Sequence, residues 1–262
     1  MTEFAYGGYQ LHAWGFDELR PESLTGRNWL GNAGLSATIV DSLDTLYLMG
    51  LKDQYEMSAK FVIEELNFVT DNYVSFFETV IRDLGGLLSA YALTRNRKFV
   101  DKADELGQRL LPAFNSPHGL PFGLINLQTG QVKNHNWMPS NHILAEIGTV
   151  QLEFKYLAHL TGRKVYYDKA ERVMTYLREL DLAESGLYPV LYPMSGTPSA
   201  NTRDYTLGGL GDSYYEYELK QWLQTRRSEA YLLKMYDDSA DGIRRVLVTF
   251  SQVLFIYLFI YF

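Results

Sequence analysis

The stretch ATIVDSLDTLYLM (37–49) sets the pattern of this chain, because its apolar residues recur at mixed three- and four-residue steps. Ile39, Leu43, Leu46 and Leu48 would therefore lie along one face of a helix. The segments that share this period are 78–93, 143–160 and 213–223. A short polar break follows each segment, which predicts helical hairpins.

The breaks are followed by a common pattern. An aromatic residue comes shortly after each break, and a small or flexible apolar residue stands four positions later. The pairs are Tyr55 with Ala59, Phe99 with Ala103, Tyr166 with Ala170, and Tyr231 with Met235. This spacing predicts an all-α fold built from a degenerate repeat of about four helical hairpins. Such hairpins stack either into an open solenoid or into a closed toroid.

Three acidic residues occupy matching positions in successive hairpins. Glu78, Glu146 and Asp212 precede the aromatic residues of their hairpins by 21, 20 and 19 positions, respectively. In a toroid this register would bring the three carboxylates to one end of a central cavity. The alternative is a surface position, because acids in a first helical turn interact favourably with the helix dipole. The apolar neighbours in FFE (76–78) and ILAE (143–146) favour the cavity.

Composition and net charge exclude several classes of partner and of active-site chemistry. The chain has 262 residues, a formal net charge of −7 and no cysteine, and this length suits one domain. No basic stretch is present, so nucleic acid is not expected as a partner. The lack of cysteine excludes disulfides, thiolate nucleophiles and Cys-built zinc sites. Aromatic residues make up 15% of the chain, which suits either a polar cleft that stacks on sugars or bases, or a large helical core.

Two insertions, 115–141 and 185–210, interrupt the helical pattern. The first contains a stretch, 123–132, that predicts a β-hairpin. The second insertion has a similar composition and contains the apolar and aromatic stretch LYPVLY (187–192). Both insertions precede an acid-bearing helix, so we expect them to form one rim of the cavity.

Acidic and basic residues four positions apart share a helix face. Glu78 and Arg82 would form an ordinary ion pair, whereas Asp212 and Glu216 carry like charges. Like charges at this spacing are mildly destabilising, which indicates a hydroxylated ligand or a cation between them.

The remaining polar residues limit the chemistry. Asp41 and Asp44, on a mostly apolar helix, are each either a buried structural acid or a further cavity wall. The histidines lack metal-binding spacing and are interpreted as surface or loop residues; they are His12, His118, His135, His142 and His159. Phosphate-binding glycine motifs and an activated serine are absent from the sequence. Carboxylate chemistry remains, and two carboxylates that flank a bond are typical of glycoside hydrolysis.

The chain resembles the class I α-1,2-mannosidases of glycoside hydrolase family 47. The matching stretches are AWGFDELRPES (13–23), ATIVDSLDTLYLMGL (37–51), FFETVIRDLGGLLSAY (76–91), LAEIGTVQLEFKYLAHLTG (144–162) and GGLGDSYYEYELKQWLQ (208–224). The resemblance implies an (α/α)7 toroid, incomplete here, with small β-hairpin insertions. It also implies a calcium-dependent, inverting exo-glycosidase that removes terminal α-1,2-linked mannose from high-mannose N-glycans of glycoproteins.

The resemblance also assigns residues to roles. It implies that Glu78 is the general acid, acting through a water molecule, and that Asp212 is a second active-site carboxylate. The positions it implies for substrate binding are Arg82, Glu146, Glu216 and Asp44. It assigns no metal ligand within this chain, because the calcium-binding threonine of the family is expected beyond its end.

The resemblance covers roughly residues 5–250 and leaves part of the family's catalytic domain unmatched. Further acid/base glutamates are expected beyond the end of the chain, so we expect truncation to impair hydrolysis. We assign 1–250 to a partial barrel domain and 251–262 to an apolar tail that is unlike the family. The apolar run 246–262 is near the lower length limit of a membrane span, so a read-through tail, an anchor and a core helix stay open.

The family relationship implies the secretory pathway, with a lumenal domain at the endoplasmic reticulum or Golgi membrane. A missing N-terminal anchor, or less favourably the 246–262 tail, would provide the membrane attachment. Two alternatives to hydrolysis stay open: a non-hydrolytic quality-control protein that binds mannose glycans, and an inactive fragment.

Overall fold

The computed structural model describes residues 1–180, 186–195, 204–250 and 256–258. Within these residues helices dominate, and the strands are only two or three residues long. The α-helices are α1 (Thr2–His12), α2 (Ala37–Asp41), α3 (Leu43–Leu48), α4 (Lys52–Glu64), α5 (Phe76–Glu78), α6 (Gly85–Thr94), α7 (Arg97–Leu110), α8 (Leu144–Gly148), α9 (Gln151–Thr161), α10 (Lys164–Glu179), α11 (Asp212–Gln224) and α12 (Ala230–Gly242). The strands are β1 (Glu18–Arg20), β2 (Thr25–Arg27), β3 (Tyr73–Ser75), β4 (Leu124–Asn126), β5 (Val132–Lys133), β6 (Asn141–Ile143), β7 (Leu191–Pro193), β8 (Val248–Phe250) and β9 (Ile256–Leu258). Turns of other helix types are π turns at Thr79–Leu84 and Ile243–Leu247 and a 3₁₀ turn at Leu111–Phe114.

The predicted hairpins are confirmed as helix pairs joined by short turns: α3 with α4, α6 with α7, α9 with α10, and α11 with α12. The turns contain residues with positive φ, namely Gly50 (70°), Arg95 (59°), Gly162 (71°) and Arg226 (53°). This left-handed conformation ends the first helix of each pair. Asn96 then begins α7, because its side chain accepts a hydrogen bond from the Lys98 N–H.

The chain divides into two compact units. The first unit consists of Met1–Ala113, Phe122–Lys133 and Glu153–Tyr166. The second consists of Phe114–Pro121, Asn134–Leu152 and Tyr167–Phe262. The hairpins α3/α4 and α6/α7 belong to the first unit, and α11/α12 belongs to the second.

Aromatic rings occupy the centre of the first unit. Phe76, Phe99, Phe154 and Tyr166 are completely buried. The ring of Phe154 lies 6.2 Å from that of Phe76 and 5.9 Å from that of Tyr166. The Tyr166 hydroxyl also donates a hydrogen bond of 2.7 Å to Asp104 Oδ1. Two of the aromatic residues that follow helix breaks therefore belong to the core, as a packed helical repeat requires.

The first insertion forms the predicted β-hairpin, and this sheet determines where α5 begins. Strand β4 pairs antiparallel with β5 on one side and with β3 on the other, so that Ile125 lies opposite both Val132 and Val74. The turn between β4 and β5 places Gly130 at φ 74°. Because β3 leads directly into α5, the sheet fixes the start of the helix that carries Glu78.

Strands β6 and β7 pair antiparallel in the second unit, and α8 follows β6 directly. Gly148 at the end of α8 lies so close to the Tyr214 ring of α11 that a Cβ atom there would clash. His142 in β6 is 3% exposed, and its Nδ1 lies 2.9 Å from the Pro121 carbonyl oxygen. The interpretation of the histidines as surface or loop residues is therefore wrong for His142.

The C-terminal segment is described only in part. Residues 251–255 and 259–262 of the predicted tail lie outside the described residues, as does 196–203 in the second insertion. The backbone of β9 pairs antiparallel with β8, with Thr249 opposite Tyr257. None of the described helices is both long and apolar enough to span a membrane.

Candidate active site

Glu78 and Arg82 form an ion pair at the start of a continuous helical run in the first unit. Ser75 caps this run, because its hydroxyl accepts a hydrogen bond of 3.2 Å from the Glu78 N–H. Arg82 Nε donates to Glu78 Oε2 at 2.7 Å, and the Glu78 side chain is 29% exposed. The guanidinium thus fixes the carboxylate while leaving it accessible to solvent.

Arg82 is itself held from two further sides. Its Nη1 donates to Asp41 Oδ2 at 3.3 Å, and its guanidinium lies 5.5 Å from the ring centroid of Trp29. Burial lowers the pKa of Arg82, but its hydrogen bond to Glu78 and the charges of Glu78 and Asp41 raise it overall. Burial raises the pKa of Asp41, and Arg82 partly offsets this effect. The result is a fixed cation between two carboxylates.

Asp83 lies in the π turn next to Arg82 and is completely buried. Neither carboxyl oxygen of Asp83 has a hydrogen-bond partner among the described residues. Burial first, and then the negative charges of Asp17 and Asp41, raise the pKa of Asp83 well above its usual value. A buried carboxyl group without hydrogen-bond partners favours its neutral form, and its ionisation destabilises the fold.

We expect Asp83→Asn to stabilise the first unit at alkaline pH. Because the folded-state pKa is raised, stability is full below the unfolded-state pKa and is lost as pH rises through the folded-state pKa. Removing this ionisation should increase the free energy of unfolding at pH 8 by about 2 kcal/mol, with little change at pH 4. Urea unfolding at both pH values measures the difference. The exposed Asp101 supplies the control, since Asp101→Asn should change neither value by more than about 0.5 kcal/mol.

Asp44 makes a contact between helices. Its Oδ2 accepts a hydrogen bond of 2.7 Å from the Ser89 hydroxyl, which joins α3 to α6. The half-buried carboxylate therefore has a structural partner, one of the two possibilities that the sequence left open.

Glu146 lies in the first turn of α8, in the second unit, and pairs with a histidine. His135 Nε2 lies 2.7 Å from Glu146 Oε1, and the two side chains are 17% and 16% exposed. The indole of Trp137 stacks on the His135 ring, with ring centroids 5.4 Å apart. Sequence analysis assigned His135 no role. It reaches Glu146 because the chain returns through β6 to the start of α8.

Asp212 is the first residue of α11 and is exposed. Its Oδ1 accepts a hydrogen bond of 2.8 Å from the Ser213 N–H, while the Ser213 hydroxyl lies 2.9 Å from that of Thr149. Glu216 is also exposed and forms an ion pair of 2.7 Å with Lys220. The repulsion between Asp212 and Glu216 is therefore relieved by an ordinary cation one turn further along α11.

The structure joins some of the predicted site residues directly. Glu78 contacts Arg82 in the first unit, whereas Glu146 and Asp212 lie in the first turns of two packed helices of the second unit. The meeting of all three carboxylates in one cavity stays a prediction.

The family model described as glycosyl hydrolase family 47 matches residues 1–259. The chain belongs to this family. The predicted boundary of a non-family tail at 251 stays a prediction.

Family 47 relatives and a solved structure agree with this assignment. Mannosyl-oligosaccharide 1,2-alpha-mannosidase IB of Mus musculus is 40% identical over 96% of this chain and 40% of its own length. The endoplasmic reticulum mannosyl-oligosaccharide 1,2-alpha-mannosidase of Rattus norvegicus is 40% identical over 95% of this chain and 37% of its own length. The solved alpha-1,2-mannosidase from Trichoderma reesei is 28% identical, with a TM-score of 0.84, over 94% of this chain and 53% of its own.

The match to the solved family 47 structure confirms the (α/α)7 fold class that the family resemblance implies. The chain spans about 40% of the length of the curated relatives it matches.

Proposed function

We propose that this chain recognises terminal α-1,2-linked mannose and contributes Glu78 as the general acid of an inverting exo-glycosidase. The observation that carries the proposal is the Glu78–Arg82 ion pair at 2.7 Å in a member of family 47. Relatives named as mannosyl-oligosaccharide 1,2-alpha-mannosidases support the choice of substrate. High-mannose N-glycans on glycoproteins are the substrates that fit those names.

Glu78 suits proton delivery for geometric reasons. Arg82 bonds only Oε2, and the side chain keeps 29% exposure, so water can reach the carboxyl group. A proton passed through such a water reaches the leaving oxygen of the glycosidic bond. Arg82 and Ser75 hold the position of Glu78 before substrate arrives, which lowers the entropic cost of the proton transfer.

Inversion also requires a carboxylate that activates water on the opposite face of the sugar. Asp212 is our candidate within this chain. Its exposure and its place at the start of α11 leave both oxygens able to bind water. For substrate binding we propose Arg82, Glu146, Glu216 and Asp44.

Calcium, which the family relationship implies, has no ligand set among the described residues. No group of three or more His, Cys, Asp or Glu side chains within them is arranged to hold a metal ion. The residues described here thus do not fit a calcium site by themselves, and no catalytic step is assigned to the ion.

The names of the relatives also bear on location. Relatives named as endoplasmic reticulum enzymes support a place in the secretory pathway. A lumenal domain at the endoplasmic reticulum or Golgi membrane remains our proposal.

The proposal is tested with the purified chain and α-1,2-linked mannobiose. We expect selective binding of this disaccharide over the α-1,6-linked isomer, and mannose release that is slower than that of a full-length relative. Glu78→Gln should reduce release by at least about a hundredfold, because the acid can no longer donate a proton. Glu64→Gln, which removes an exposed acid from α4, should leave release unchanged.

Two results would decide against hydrolysis. Selective binding without any mannose release would favour the non-hydrolytic binding protein. Equal affinity for both isomers, or none, would contradict the substrate assignment and leave the inactive fragment.

A further inference from the structure

The loop 134–140 holds a pair of side chains against Glu146. His135 approaches the carboxylate at 2.7 Å, and Trp137, which is 59% exposed, covers one face of the imidazole. The ring planes of His135 and Trp137 are 28° apart, close to parallel stacking. The imidazole therefore lies between an indole and a carboxylate.

The loop itself is fixed by backbone contacts. The Met138 N–H donates to the His135 carbonyl oxygen at 2.9 Å, closing a turn around Trp137. At its other end, the Met194 N–H donates to the Ser140 carbonyl oxygen at 2.9 Å, next to the β6–β7 pairing. These bonds place His135 at a set distance from the start of α8.

We propose that His135 is a positioning residue for Glu146. Its Nε2–H donates to Glu146 Oε1 and holds the carboxylate so that Oε2 accepts a hydrogen bond from a sugar hydroxyl. A carboxylate accepts hydrogen bonds only, so the nitrogen facing it carries the proton. The stacked indole keeps the imidazole from rotating away.

This inference rests on the proposed function, in which Glu146 contacts the sugar. Without the histidine, the carboxylate can adopt several rotamers, and binding must then select one of them. The expected cost is lower affinity for mannose rather than loss of the fold.

The test measures binding of α-1,2-linked mannobiose with a sulfur-bridged linkage that resists hydrolysis, by titration calorimetry on the whole chain. We expect His135→Leu to weaken binding about tenfold. His135→Gln should restore affinity to within about threefold, because the Gln amide N–H can replace Nε2–H. In a Glu146→Gln background, His135→Leu should have little further effect, as expected for two residues that act as one unit.

His118 provides the matched control. Its ring also packs against an aromatic ring, that of Tyr176 at 5.7 Å and tilted by 45°, so His118→Leu removes a histidine–aromatic contact elsewhere in the second unit. We expect unchanged affinity for this variant. If His135→Leu binds as tightly as the unaltered chain, or if His135→Gln fails to restore a lost affinity, the inference is wrong while the proposed function stands. If the unaltered chain does not bind mannobiose, the proposed function fails and this inference fails with it.

Discussion

Replacing Asp17 with alanine is expected to lower the free energy of unfolding by about 5 kcal/mol, well above the usual effect of a single substitution. The carboxylate is 1% exposed and accepts hydrogen bonds from four backbone N–H groups. The donors are Trp29 (2.9 Å), Leu30 (2.8 Å), Leu35 (2.7 Å) and Ala37 (3.2 Å). Alanine would leave these groups without a partner in a site that excludes water.

The measurement is urea unfolding followed by circular dichroism. The neighbouring Glu18 is a matched control. Among the described residues it forms one ion pair, with Arg27 at 3.1 Å, and this pair lies on the surface. Glu18→Gln should cost less than about 1 kcal/mol. If Asp17→Ala does not fold at all, Asp17→Asn, which retains one acceptor oxygen, should fold with an intermediate loss. A loss for Asp17→Ala no larger than that for Glu18→Gln would contradict the prediction.

The helices and their order could be predicted from the sequence, because they depend on local periodicity. The three- and four-residue steps place Ile39, Leu43 and Leu46 correctly on a buried face, and all three are completely buried. The prediction that Leu48 shares this face is wrong, because its side chain is 69% exposed. The repeated break followed by an aromatic residue also gave the hairpins. The first turns of successive helices could be aligned in the same way, and Glu146 and Asp212 lie in them.

The contacts that complete the site could not be predicted in this way, because they join residues distant in sequence. Asp17 binds backbone groups up to 20 positions away, and His135 reaches Glu146 only after the chain returns through β6. Hydrogen bonds of this kind depend on how the loops pack against the folded helices. No periodicity in the sequence encodes them.

The burial of one acid, Glu218, can be inferred from the helical period of the sequence. Tyr214, Glu218 and Gln221 follow one another at four- and three-residue steps, and all three are completely buried. The same period that places Glu216 on the exposed face of α11 therefore places Glu218 on the buried face. Its carboxyl group accepts a hydrogen bond of 3.3 Å from Ser239 on α12.

We expect the stability of the second unit to fall with pH because of Glu218. Burial raises the pKa of Glu218 to about 8; the hydroxyl groups of Tyr214 and Ser239 lower it, and the charge of Asp238 raises it. A raised folded-state pKa means that stability is full below the unfolded-state pKa and is lost as pH rises through about 8. Between pH 5 and pH 8 the unaltered chain should lose about 3 kcal/mol more than Glu218→Gln.

The comparison with a neighbouring acid isolates this effect. Glu216 lies on the same helix but is exposed and paired with Lys220, so Glu216→Gln should keep the pH dependence of the unaltered chain. Free energies of unfolding from urea titrations at pH 5, 6, 7 and 8 give both slopes. Equal losses of stability for Glu218→Gln and Glu216→Gln over this range would contradict the prediction, because the buried carboxyl group would then be ionised already at pH 5. A flatter curve for Glu218→Gln alone would mean that the α11–α12 contact is built for the protonated acid.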